Sequence, residues 1–62
     1  GRGLKEDAML AELLRDHEAL ARSLRVDLEE CGRLGDQGTM DFLTGLLRGH
    51  EKSAWMLRSF LS

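Results

Sequence analysis

Three glycines, Gly32, Gly35 and Gly38, cluster in the middle of a chain whose pattern is otherwise helical throughout. Before them, Leu10, Leu13, Leu14, His17, Leu20, Ala21, Leu24, Leu28 and Cys31 recur in steps of three and four. Such spacing lines up one face of a helix and gives it something to bury. After them, Met40, Leu43, Leu46, Leu47, His50, Ala54, Leu57 and Leu61 do the same. No proline occurs, and no stretch alternates with period two long enough to form a strand. The predicted fold is all-α: an antiparallel helical hairpin.

The first helix is predicted over about residues 5–34, with Glu6 and Asp7 at the positive end of its dipole. Gly1-Arg2-Gly3 should fray or belong to a preceding loop, since two glycines in three residues oppose order. The opposite face carries Glu12, Arg15, Glu18, Arg22, Arg25, Glu29 and Arg33, a solvated charged surface. Within it, Glu18 with Arg22 and Glu29 with Arg33 have the favourable acid-first i,i+4 order. Gly35 suits the left-handed residue that ends a helix. A turn at 35–38 then leads into a second helix at about 39–61, with Thr39 the best N-cap and Asp36 its competitor. The connection is short enough to make the helices antiparallel neighbours.

The second helix is apolar over more than one face. Phe42, Met56 and Phe60 lie off one side of its stripe and Trp55 off the other. Gly45 and Gly49 are each unfavourable by about 1 kcal/mol in a helix interior, a cost best tolerated where another helix packs closely. One partner helix cannot cover that surface. The hairpin is therefore expected to be half of a four-helix bundle, completed by a second copy or by helices of a longer parent.

Charge excludes some functions. Eleven acidic and nine basic residues give a net charge of −2, which is not the basic footprint of a nucleic-acid-binding domain. The single cysteine, Cys31, excludes an internal disulfide and sits on the apolar stripe, where a buried structural thiol is expected. No membrane span or signal peptide is legible, and a free thiol then suggests a cytoplasmic setting.

Candidate chemistry is sparse. His17-Glu18 and His50-Glu51 place both histidines on the apolar stripes. If partners across the hairpin sum to about 73, the two rings are offset by about six residues, roughly 9 Å by helical rise. That separation is too great for one metal within a hairpin, so hydrogen-bonded histidines are the expectation. The Glu-x-x-His pattern of di-iron bundles is missing, because Leu14 and Leu47 stand three residues before the histidines. An HExxH motif is missing too, with Ala21 and Ala54 at the second histidine's place. No Ser-His-Asp constellation surrounds Ser23, Thr44, Ser53 or Ser59. Catalytic and ferroxidase-type metal residues are predicted to be absent from this chain.

Larger motifs carry a resemblance. Leu13-Leu14-x-x-His17 with Leu24-Arg25, then Gly35-Asp36-x-x-Thr39-x-Asp41-x-Leu43, then His50-Glu51-Lys52-x-x-Trp55-Met56-Leu57-Arg58-x-x-Leu61 follow one register without gaps. This resembles the C-terminal half of the Dps proteins, mini-ferritins of the ferritin-like superfamily. The resemblance implies the third and fourth helices of a ferritin-like bundle. It implies a longer parent that forms a hollow dodecamer, oxidises ferrous iron, stores the ferric mineral and protects DNA under stress. The family's ferroxidase ligands lie on its first two helices and cannot be carried over, so iron is expected only in the parent. DNA binding, too, is an expectation for the parent alone. The resemblance places Asp41 at a family position that lines the pores through which iron enters, with Asp36 nearby; Thr39, Gly35 and Trp55 are carried as structural residues. The fragment itself is expected to act as scaffold and to pair as a homodimer. The alternative is a stand-alone hairpin module that docks on a partner's helices, without iron chemistry.

Overall fold

A computed structural model describes residues 2–62, and the prediction for Gly1 lies outside the described residues. Helix α1 runs Leu4–Leu34 and helix α2 runs Gln37–Leu61. Thirty-one residues at about 1.5 Å each make α1 roughly 46 Å long. This length sets the long dimension of a rod measuring 48 × 13 × 13 Å. The two helices pack antiparallel as a hairpin and no strand is present among the described residues.

The turn is tighter than the sequence pattern predicts. Only Gly35 and Asp36 lie between the helices, rather than residues 35–38. Gly35 is left-handed (φ 73°, ψ 21°), a conformation that a Cβ would strain. Its N–H donates to Gly32 O at 3.2 Å and the Asp36 N–H to Cys31 O at 3.0 Å. This pair of bonds is the Schellman closure, and it satisfies carbonyls that the helix end leaves open.

Asp36, not Thr39, caps α2. The Thr39 N–H donates to Asp36 Oδ1 at 3.1 Å, and the Thr39 hydroxyl donates to Asp36 Oδ2 at 2.7 Å. The competition resolves this way because Gly38 continues the helix without clash, leaving Thr39 at the third helical position as donor rather than cap. Asp41 consequently lies beyond the first turn, which holds no acid.

Residues 2 and 3 lie outside the helix, as expected of a preceding loop, and Arg2 makes contacts there. Arg2 pairs with Asp7 at 2.8 Å, donates to the Phe60 carbonyl, and places its guanidinium 5.9 Å from the Phe60 ring centroid. A cation there meets the negative end of the α2 dipole. The Gly3 N–H donates to the Glu6 carboxylate, which occupies an otherwise open helix-start donor.

The interior is thin. Among the described residues only Ala21, Ala54 and Leu57 are buried. Leu13, Leu20, Leu46, Met56, Phe60 and Trp55 all stay exposed, Trp55 at 63%. Cys31, expected to be buried, is only partly so and is a free thiol. A Cβ added at Gly45 or Gly49 would meet nothing within 4 Å. The close packing expected at these glycines is therefore not supplied by α1.

Candidate functional site

His17 and His50 meet at the centre of the hairpin, and their distance overturns the sequence-based estimate. Nδ1 of His17 lies 2.9 Å from Nδ1 of His50, with ring centroids 5.1 Å apart and planes inclined by 43°. The error lies in side-chain reach rather than in register, since His17 still borders Ser53, Met56 and Leu57 across the seam, near the expected opposing position. The two imidazoles span the offset, because each reaches away from its own axis.

The chemistry of the pair follows from the distance. At 2.9 Å one Nδ1 must donate a proton and the other must accept it. The acceptor ring is then the neutral Nε2–H tautomer, and the donor ring carries Nδ1–H. Both are half-buried. One turn away on the same faces, Leu13, Leu14, Leu20 and Ala21 flank His17, and Leu46, Leu47, Ser53 and Ala54 flank His50. None of these neighbours titrates. The adjoining Glu18 and Glu51 are engaged elsewhere, Glu18 with Arg58 at 3.1 Å and Glu51 with Arg25 at 2.8 Å.

Those two ion pairs line the other flank of the helix–helix seam, above Ala21 and Ala54. They displace the expected partners within α1. Glu18 bonds across to α2 rather than to Arg22, and Arg33 bonds Glu30 at 2.6 Å rather than Glu29. A cross-helix partner fixes interhelical register, which an i,i+4 pair on one helix cannot do.

At the turn, both oxygens of Asp36 are occupied by Thr39. The Thr39 hydroxyl foremost, and the Thr39 N–H after it, hold the Asp36 carboxyl below its ordinary value of 3.8. Asp41 is exposed and accepts one bond, from Gln37 Nε2 at 2.8 Å. The structure therefore brings Asp36 and Asp41 to the same end of the rod, yet engages the first as a cap. Among the described residues no group of three or more His, Cys, Asp or Glu side chains gathers in metal-binding geometry. No helix among them is long and apolar enough to cross a membrane.

A family model described as a ferritin-like domain matches residues 3–62. This chain belongs to the ferritin-like family. Among curated proteins, an uncharacterized low temperature-induced protein of Nostoc sp. is 56% identical over 54 residues, 86% of this chain and 30% of that protein. Its homolog in Anabaena variabilis gives the same figures. DNA protection during starvation protein 2 of Bacillus anthracis is 33% identical over 60 residues, 97% of this chain and 41% of that protein. The chain thus spans well under half the length of these curated relatives. No solved structure matches. The ferritin-like assignment agrees with the helical hairpin and with the resemblance of the chain to Dps proteins.

The His17–His50 contact escaped the sequence reading of this ferritin-like chain. A signal for it existed in the two His-Glu dipeptides placed on facing stripes. Each glutamate leaves the stripe for a cross-helix arginine while its histidine stays on the seam. The Arg2–Phe60 contact had no such signal.

Proposed function

We propose that this chain is the scaffold and assembly half of a Dps-like protein that oxidises ferrous iron, stores the ferric mineral and protects DNA. The observation that carries the reading is the match to the Bacillus anthracis starvation protein over 97% of the chain. In this reading α1 and α2 are the third and fourth helices of the bundle, and iron is substrate and cargo rather than a resident group. The oxidation chemistry belongs to residues outside this chain. Asp41, exposed near the turn, lines a pore when copies gather around an axis, where repeated carboxylates concentrate Fe²⁺. Asp36 contributes less, because its oxygens are held by Thr39. The intact assembly is a dodecamer working in the cytoplasm.

The apolar surface left open by the hairpin supports self-pairing. Leu13, Leu20, Leu46, Trp55, Met56 and Phe60 are exposed on a rod with only three buried residues among those described. A second copy laid alongside makes a four-helix bundle and removes that surface from water. Sedimentation equilibrium at micromolar concentration, combined with a ferrous-oxidation assay, tests both parts. The expected result is a dimer with no oxidation above buffer. A folded monomer would sink the pairing, and oxidation by the chain alone would sink the scaffold reading.

A further inference from the structure

We infer that His17 and His50 form a two-nitrogen chelate for a divalent transition-metal ion that favours imidazole. This inference is independent of the iron chemistry proposed above. It starts from the donor set. Two imidazoles with no carboxylate turned toward them make a nitrogen site, and imidazole suits copper, nickel and zinc better than hard cations.

Distance then permits a chelate. At a metal–nitrogen length of about 2.0–2.1 Å, two nitrogens on one ion lie about 2.9–3.4 Å apart. The two Nδ1 atoms, hydrogen-bonded at 2.9 Å, already lie within that span.

The ion takes the place of the shared proton. The two Nδ1 atoms already lie within one coordination sphere of each other, so the helices need not separate. Each ring pivots until both lone pairs converge beside the N···N line. The ring that carried Nδ1–H moves its proton to Nε2 through solvent, so both rings bind as neutral imidazoles and no net charge is lost. In the unpaired hairpin His17 borders an open groove with Leu13, Ser53, Met56 and Phe60, which gives water access to the remaining coordination positions until a second copy covers it.

The test is titration of the Cys31→Ser chain with Cu²⁺, so that the thiol neither binds nor reduces the metal. Calorimetry gives stoichiometry, and pulsed electron paramagnetic resonance counts coordinated imidazoles. The chain has only two histidines. Two imidazoles on one ion per chain, unchanged on dilution, therefore assign the site to this pair. His17→Gln and His50→Gln are each expected to weaken binding at least tenfold, with helicity checked by circular dichroism. Unchanged affinity in both folded variants overturns the inference. So does a spectrum with fewer than two imidazoles, or one that shows two only at high protein concentration. Should a glutamine variant unfold, the imidazole count on the Cys31→Ser chain decides alone.

Discussion

Nδ1 of His17 sits 2.9 Å from Nδ1 of His50, so one hydrogen bond between side chains ties the two helices at mid-length. Each ring depends on the other for its tautomer. Removing one partner is therefore different from removing both. A half-buried imidazole left without its partner must find water at the edge of an apolar stripe, whereas two apolar side chains of similar size simply pack.

A double-mutant cycle reads that asymmetry. His17→Leu and His50→Leu alone are each expected to destabilise the hairpin by about 1 kcal/mol, the usual loss for a broken side-chain hydrogen bond. The double variant should recover most of this, giving a coupling energy that approaches about 2 kcal/mol between the sites. Urea unfolding followed by circular dichroism provides the values. Additive losses would mean that the bond contributes nothing beyond each ring's own packing.

Asp36 gives the pH dependence. Its two bonds from Thr39 favour the carboxylate and lower its folded pKa below 3.8. A depressed pKa contributes stability that is fully present above the unfolded value and disappears as pH falls through the folded one. Thermal melts of the native chain and Asp36→Asn should thus differ near neutral pH and converge once pH falls through the folded pKa, which lies below 3.8. A gap that stays constant from neutral to strongly acidic pH would show that the carboxylate charge plays no part in the cap.

The hairpin itself was legible from leucine spacing and the glycine cluster, because helical period and helix termination are local properties. Which residue caps α2 was not, since Asp36 and Thr39 both satisfy the local rule and only the turn's length chooses between them. The His17–His50 contact was hidden because an offset along the helix axis ignores how far two imidazoles reach toward each other. The flanking ion pairs were hidden for a related reason. Glu18 has an arginine one turn away in sequence, but the structure gives it Arg58 across the seam.

Those cross-helix pairs are expected to set register more than stability. Arg25 and Glu51 are about half exposed, as are Arg58 and, to a lesser degree, Glu18. Solvent screening limits each to about 0.2–1 kcal/mol. Arg25→Ala or Arg58→Ala should therefore shift the urea midpoint slightly, and less at 1 M salt than at 50 mM. The exchanged pair Arg25→Glu with Glu51→Arg should restore the midpoint. A large loss that salt does not reduce would point to packing of the arginine stems instead.

The interior glycines of α2 separate the chain's own stability from its need for neighbours. At Gly45 and Gly49 an added Cβ meets open space within the hairpin. Neither glycine has a positive φ, so alanine fits the backbone without strain. By helix propensity alone, each Gly→Ala change should stabilise α2 by about 1 kcal/mol. The opposite holds if these glycines let another helix approach closely, since two methyl groups would then push the partner away. In dilute solution the double alanine variant should be more helical than the native chain by circular dichroism. At higher concentration its self-association, read by sedimentation, should be at least several-fold weaker. Unchanged association would place the dimer contact on the Trp55 or Phe60 side and leave the glycines without a packing role.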